Sequence, residues 1–134
     1  MEKTIQKYIE GIGRRKTAIA RVRIYPDKNK EEFIINSRTK KDYFNVERHQ
    51  VALEAPLVAT GIKGMSVEVK VVGGGITAQA EAIRMGLARA LVAYKAETRP
   101  ELKAKGMLTR DSRMVERKKF GRRKARRGFQ WKKR

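Results

Sequence analysis

Cationic side chains crowd the carboxyl end of this sequence, and their types and spacing suit the binding of a polyanion. Residues 117–134 run RKKFGRRKARRGFQWKKR, in which eleven are Lys or Arg and none is acidic. Arg presents a planar fork of donors that matches phosphate oxygens, and aromatic rings can stack on unpaired bases. We therefore predict a nucleic-acid partner, with a solvated basic arm as the alternative. The predicted phosphate-binding residues here are Arg117, Lys118, Lys119, Arg122, Arg123, Lys124, Arg126 and Arg127.

The same segment has little to bury if it folds alone. Its apolar side chains are Phe120, Ala125, Phe129 and Trp131, whereas ordering the backbone costs about 1–2 kcal/mol per residue. Eleven like charges also repel one another without counter-charge. We therefore predict a long extended tail that is disordered in isolation and becomes ordered only against a dense polyanion.

A second group of cations lies near the amino terminus. Arg14, Arg15 and Lys16 follow a short predicted strand and form a basic turn. Residues 17–25 (TAIARVRIY) then alternate, so that apolar side chains share one face while Arg21 and Arg23 lie on the other. We predict that these five cations face RNA, and the alternative for Arg21 and Arg23 is an ordinary solvent face.

Composition bounds the possible functions. The 134 residues suit one domain, and the net charge of +20 is typical of nucleic-acid binding. Residues 99–134 carry a net charge of +13 and residues 1–98 a net charge of +7. With no Cys and one His, we expect no disulfide, no metal site and no cofactor. No catalytic constellation, small-molecule substrate site or membrane-spanning run is recognisable, so we expect a non-enzymatic protein of the cytoplasm.

The remaining sequence pattern predicts an α+β domain. Strands are predicted over residues 7–13, 17–25, 32–35 and 65–72, and a helix from about Asp42 to Gly61 with Val46, Leu53 and Leu57 inward. Residues 65–72 alternate, so that Met65, Val67, Val69 and Val71 share one face while Ser66, Glu68 and Lys70 share the other.

A stronger helix is predicted from Ala78 to Glu97 with Thr77 as its N-cap, and Pro100 begins a short one. The stronger helix has an apolar stripe and a stripe of small residues that allows it to lie close to a sheet. The apolar stripe is Ile83, Leu87, Leu91 and Tyr94, and the small-residue stripe is Ala78, Ala82, Gly86, Ala90 and Ala93. This order predicts a two-layer sandwich, a mainly antiparallel sheet covered by helices on one face. We assign His49 no chemistry.

A glycine-rich turn separates the last strand from the strongest helix. Gly73, Gly75 and Ala78 formally fit the relaxed dinucleotide fingerprint, but no second parallel strand with an acidic end follows. We predict instead a structural turn, formed by Gly73, Gly74 and Gly75, that allows close helix packing. The helix N-terminus could also hold an RNA phosphate.

Residues 73–91 (GGGITAQAEAIRMGLARAL) resemble the signature of the S-nine family of small-subunit ribosomal proteins. Residues 11–24, residues 108–119 and residues 124–134 resemble three further blocks of that family, in order. The resemblance implies the fold of the second domain of the S-five protein. It also implies a place in the small-subunit head, with ribosomal RNA, neighbouring head proteins and peptidyl-site tRNA as partners. By position, Lys133 and Arg134 would contact the tRNA anticodon stem-loop.

The ending departs from the family pattern of Gln-Phe-Ser-Lys-Arg. Here Trp131 stands for Phe and Lys132 for Ser, while Phe129 stands where Pro is common. We expect Trp131 to keep a stacking surface and Lys132 to add charge beside the tRNA contact.

Three parts and one function follow from these patterns. We predict a globular RNA-binding domain over residues 1–98, a short helix and connector over residues 99–116, and the basic tail over residues 117–134. The predicted function is that of a structural constituent of the small subunit. The alternatives are a free nucleic-acid-binding chaperone and a phosphate-handling enzyme that uses the glycine turn.

Overall fold

The structure, a computed structural model, describes residues 7–26 and 30–133. Its strands are β1 (Ile9–Arg15), β2 (Ala18–Tyr25), β3 (Phe33–Ile35), β4 (Arg38–Thr39) and β5 (Ser66–Val72). Its helices are α1 (Lys40–Tyr43), α2 (Glu47–Thr60), α3 (Ile76–Tyr94) and α4 (Arg99–Ala104), and a 3-10 turn (Ala96–Thr98) joins α3 to α4. The α+β class is therefore confirmed.

The described strands form one five-stranded sheet in the order β1-β2-β5-β3-β4. Only the β3–β5 pair is parallel, so the sheet is mainly antiparallel, as predicted. The side chain of Asn36 continues the pairing of β3 with β5 beyond the last residue of β3. Its Nδ2 donates to the Val71 carbonyl at 2.9 Å, and its Oδ1 accepts from the Val71 N–H at 3.0 Å. The short β4 was not predicted, since a strand of two residues is too short to show alternation.

Alternation in the central strands builds the core. Ala18, Ala20, Val22 and Ile24 are fully buried, and Val67, Val69 and Val71 continue their layer on β5. Ile83, Leu87 and Leu91 of α3 lie against this layer, while Tyr94, predicted to share their stripe, is partly exposed. The sheet is thus covered on one face, because β1 and β2 pack on α3 and α2 packs beside α3.

Glycine sets the distance between α3 and β1. A Cβ on Gly13 would lie 1.8 Å from the carbonyl oxygen of Ala82, and one on Gly11 would lie 2.2 Å from that of Gly86. The predicted stripe of small residues on α3 therefore faces glycines of β1, and helix and strand backbones meet directly. Ala93, the last member predicted for that stripe, is exposed.

The first helical region differs from its prediction. The chain forms α1, breaks at Phe44, and begins α2 at Glu47. Val46 is the exposed N-cap of α2 rather than an inward residue, and the fully buried aromatic anchor here is Phe44. Leu53 is fully buried and Leu57 packs partly against the core, as predicted. Gly61 ends α2 in the left-handed conformation, φ 64°.

The strongest helix begins earlier and ends sooner than predicted. Its N-cap is Gly75, which has no side chain to cap with, and Thr77 lies in the first turn. The helix ends at Tyr94 rather than Glu97, since the hydroxyl of Thr98 donates to the carbonyl of Lys95 at 2.8 Å and tightens the chain into a 3-10 turn. Pro100 lies in the first turn of α4, as predicted.

Candidate nucleic-acid interface

The basic turn Arg14–Lys16 divides its three side chains between two surfaces. The alternation of β1 turns Gly11 and Gly13 towards α3, so Arg15 faces the helix and Arg14 faces the open side of the sheet. Lys16 lies in the turn with φ at 51° and is exposed, as is Arg14. The three cations therefore have different environments, although they are adjacent in the sequence.

Arg15 is the partly buried member, with 12% of its side chain exposed. Its Nε donates to Glu81 Oε2 of α3 at 2.6 Å, and one of its terminal nitrogens donates to the carbonyl of Arg113 at 2.5 Å. The other lies 3.6 Å from Asp111 Oδ2. Glu81 compensates the charge of Arg15, and Asp111 lies beside it as well, so Arg15 adds no net positive charge to the surface.

Arg21 and Arg23 share a single carboxylate on the open face of the sheet. Arg21 Nε donates to Glu10 Oε1 at 3.1 Å, and Arg23 Nε donates to Glu10 Oε2 at 3.2 Å. These hydrogen bonds, that from Arg21 foremost, hold the pKa of Glu10 below its ordinary value. Strand register also places a second carboxylate, Glu68, opposite Arg23 on β5, so Arg23 lies between two carboxylates while Arg21 is the more exposed of the two cations.

Aromatic residues support the same part of the sheet. The Arg23 guanidinium lies 4.6 Å from the ring centre of Tyr8, and the rings of Tyr8 and Tyr25 are 5.9 Å apart. The hydroxyl of Tyr25 donates to Glu68 at 2.9 Å, and burial and then this bond raise the pKa of Tyr25. Tyr25 is buried rather than part of an exposed face.

The open face also carries four residues that were not predicted as site residues, namely Ile12, Ile19, Lys70 and Val72. Strand register places Ile12, Arg21 and Lys70 in one row, and Arg14, Ile19 and Val72 in the next. The apolar members of both rows are exposed. Alternation in β5 already placed Lys70 opposite the core, but only the strand register shows that it lies beside Arg21.

The carboxyl-terminal segment (residues 114–133, as described) contains no helix or strand. Side chains and backbone join its own residues: Arg123 N–H donates to the Arg127 carbonyl at 2.8 Å, and Arg122 donates to the Arg126 carbonyl at 2.8 Å. Glu116 pairs with Lys119 and Arg126, and the bond from Lys119, followed by that from Arg126, lowers the pKa of Glu116.

Most predicted phosphate-binding side chains of this segment are exposed to solvent. Lys119 is partly buried, whereas the others are open: Arg117, Lys118, Arg122, Arg123, Lys124, Arg126 and Arg127. Phe120 and Trp131 are 96% and 99% exposed, so they have no apolar partner among the described residues. Lys133 is exposed, and Arg134 lies outside the described residues.

The glycine turn packs against the start of β2. Gly73 and Gly74 have positive φ angles of 73° and 66°. A Cβ on Gly73 would lie 2.7 Å from the Thr17 carbonyl oxygen, and the amide of Gln79 donates to the Gly73 carbonyl at 3.0 Å. This geometry agrees with a structural turn, since backbone conformation and space both favour glycine there.

Other kinds of site find no support in residues 7–26 and 30–133. No group of three or more His, Asp or Glu residues there could hold a metal ion. His49 packs its ring 5.8 Å from that of Phe44 and contacts Thr77 Oγ1 at 3.2 Å, which is a packing role. No helix in the described part of the chain has the length and apolar character needed to cross a membrane.

An α+β layer with close helix–sheet packing, joined to a segment of exposed cations and aromatics, defines a small basic protein whose surface suits a polyanion. The family model for ribosomal protein S9/S16 matches residues 13–134. Relatives from Cytophaga hutchinsonii and Christiangramia forsetii, each named small ribosomal subunit protein uS9, are both 49% identical over 127 residues. Each match covers 94% of this chain and 98% of the relative.

The chain therefore belongs to the ribosomal protein S9 family, and the resemblance found in the sequence is confirmed. This family is a structural component of the ribosome and not an enzyme. The predicted non-enzymatic class is thus confirmed by family membership, and the glycine turn has no catalytic role to explain.

Proposed function

We propose that this chain, a structural protein of the small ribosomal subunit, binds small-subunit ribosomal RNA and places its last residues at the anticodon stem-loop of peptidyl-site tRNA. The observation that carries the proposal is the segregation of charge. In residues 112–133 Glu116 is the one acidic residue, and nearly all the cations there are exposed. Neighbouring head proteins complete the proposed set of partners, and no small molecule or membrane is involved.

Three parts of the chain have different proposed roles. Residues 1–98 supply the folded platform, residues 99–116 connect it to the tail, and residues 117–134 follow the RNA. Contacts to phosphate fix position without reading sequence, which suits a tail tip that meets every tRNA. Lys133 and Arg134 would supply the cationic donors there, with Lys132 adding charge and Trp131 a stacking surface.

The cations of the platform support the proposal unequally. Arg14 and Lys16 are exposed and have no carboxylate partner among the described residues. Arg21 and Arg23 share Glu10, and of the two Arg21 has the more exposed side chain. We therefore propose these four cations as RNA contacts of the platform.

Salt dependence tests the RNA contacts of the tail. Removing one cation that binds a phosphate should reduce the log–log salt slope of binding by about 0.7–0.9. We expect Arg126→Ala with Arg127→Ala to flatten the slope for purified bacterial small-subunit ribosomal RNA by nearly twice that. Lys103→Ala with Lys105→Ala removes two exposed cations of the connector and serves as the matched control. Equal slopes for both double variants would contradict the proposed tail contacts.

Deletion of residues 132–134 tests the tail tip. Subunits that carry the shortened protein should assemble normally but bind peptidyl-site tRNA more weakly or lose frame more often. Wild-type tRNA binding and frame maintenance in such subunits would refute the tRNA role while leaving the rRNA role intact. Replacement by Ala of all five cations from Arg122 to Arg127 (Arg122, Arg123, Lys124, Arg126 and Arg127) should instead impair assembly.

Sedimentation separates an integral subunit protein from a free nucleic-acid chaperone. After a high-salt wash, the protein should remain stoichiometric with small subunits in a sucrose gradient. Loss into free RNA and DNA fractions would favour the chaperone, because contacts made by exposed charges alone weaken steeply with salt.

A further inference from the structure

Arg15 was predicted to bind RNA phosphate, but its donors are directed into the protein. The side chain lies between β1, α3 and residues 111–113, and it contacts Glu81, Asp111 and the Arg113 carbonyl. A guanidinium is a rigid fork of five donors, so contacts on several sides fix its plane and its partners together. Arg14 and Lys16, which flank it, have no such partners among the described residues.

Asp111 completes the contact from the other side. Its Oδ1 accepts the backbone N–H of Arg113 at 3.0 Å, and its Oδ2 accepts from the Arg113 guanidinium at 2.7 Å. Hydrogen bonds from Arg113, with the nearby charge of Arg15, hold the pKa of Asp111 well below its ordinary value. Residues 111–113 thus form a small ionic loop that Arg15 joins to α3 through Glu81.

Residues 111–113 lie where the chain passes from the packed core to the carboxyl-terminal segment. Met107 and Leu108 still pack against the hydrophobic core. Beyond Arg113, the side-chain hydrogen bonds of the described residues have partners within the segment itself. Residues 111–113 are therefore the last hydrogen-bonded attachment between the described carboxyl-terminal residues and the platform, and Arg15 holds their backbone.

We propose that Arg15 is a positioning residue that clamps residues 111–113 to β1 and α3 and so sets where the basic tail leaves the platform. The inference rests on the proposed function only for the tail's target, because the clamp itself belongs to the free protein. A tail that starts from a fixed point searches less volume, and pre-organisation of this kind raises affinity without adding contacts.

Backbone order of the free protein tests the clamp directly. Arg15→Lys keeps the charge but cannot reach Glu81, Asp111 and the Arg113 carbonyl together. We expect the ¹⁵N order parameter of the Arg113 amide to fall from about 0.85 to below about 0.6, while α3 amides stay rigid. Arg14→Lys, one residue away on the open face, should leave the order parameters of both the Arg113 amide and the α3 amides unchanged. An Arg113 amide as rigid in Arg15→Lys as in the wild type would overturn the proposal.

RNA affinity distinguishes position from charge. Asp111→Asn raises the net charge by one, so electrostatics alone would strengthen binding to purified bacterial small-subunit ribosomal RNA. The clamp predicts the opposite, a loss of at least about threefold because the tail is less pre-organised. Glu116→Gln makes the same charge change three residues beyond Arg113 and should strengthen binding. Equal gains for Asp111→Asn and Glu116→Gln would overturn the proposal.

The two measurements also separate this inference from the proposed function. A wild-type protein that fails to bind ribosomal RNA would refute the proposed function, and the order of the Arg113 amide would still decide whether Arg15 clamps the segment. A rigid wild-type loop that Arg15→Lys releases would support the clamp in either case.

Discussion

The folded platform and the carboxyl-terminal residues 114–133 contain the same residue types in opposite environments. In the platform, glycines of β1 let α3 approach until backbones touch, Phe44 is fully buried, and Glu10 is shared by two arginines. In residues 114–133, Gly128 has open space around it, Phe120 is almost fully exposed, and Glu116 pairs with cations in solvent. Residue type alone therefore does not decide a side chain's contribution to stability; the surroundings do.

Phenylalanine gives the largest contrast. Phe44→Ala should destabilise folding by about 3–5 kcal/mol, because it removes a buried ring and leaves a cavity. Phe120→Ala should change the free energy of unfolding by less than about 0.5 kcal/mol, since the ring is almost fully exposed. Urea unfolding of both variants measures the difference. Comparable losses would mean that residues 114–133 pack on the platform in solution.

Glycine gives the next contrast. Gly13→Ala should cost about 3 kcal/mol, since a Cβ there would lie 1.8 Å from a carbonyl oxygen and α3 must move. Gly128→Ala adds the same methyl group where nothing lies within 4 Å, and we expect a change within about 0.5 kcal/mol. Thermal unfolding provides the measurement. A Gly13→Ala protein as stable as the wild type would show that the helix and strand tolerate a wider separation.

Glutamate gives a smaller contrast. Glu10→Gln leaves two neighbouring arginines without their shared carboxylate, and we expect a loss of about 0.5 kcal/mol because solvent and salt screen these charges. Glu116→Gln should leave unfolding unchanged, as its pairs lie in solvent. Added salt should narrow the gap between Glu10→Gln and the wild type. A gap that persists at about 1 M salt, where the Debye length is only about 3 Å, would indicate packing rather than charge.

The smallest expected effect is a loss of folding stability in acid, where the paired carboxylates become protonated. The pKa values of Glu10 and Asp111 are lowered in the folded chain, so the folded state binds fewer protons than the unfolded state at acidic pH. Their stabilisation is therefore present above the unfolded values near about 4 and is lost as the pH falls through the lower folded values. Urea unfolding should give a plateau from about pH 7 to about pH 5 and a decline below about pH 4. Glu10→Gln should make that decline shallower.

Much of the platform could be predicted because it follows local periods. Alternation in β2 and β5 identified buried faces that the structure confirms, and the small residues of α3 predicted close packing. Where the period is short or broken, prediction failed. Phe44 was missed because it stands alone between α1 and α2 and belongs to no repeating pattern. Thr77 was wrongly predicted as the N-cap of α3 because Thr is a common capping residue, whereas the N-cap in the structure is Gly75.

The candidate interface divides in the same way. Charge and composition alone single out residues 117–134, because a run of cations without acidic residues can be recognised without knowing which residues the fold brings near it. The environment of Arg15 could not be predicted, since Glu81 and Asp111 lie 66 and 96 residues away. Both carboxylates lie in blocks that resemble the family, but nothing in the sequence marks either of them as a partner of Arg15.

The sequence by itself determined the class of fold, the family and the uneven distribution of charge, because these depend on residue types and on spacing along the chain. Only the tertiary structure decided which cations are available to a partner. Ion pairing acts over a few ångströms between residues that the fold brings together, so Arg14 remains in solvent while Arg15, its neighbour, is enclosed by two carboxylates.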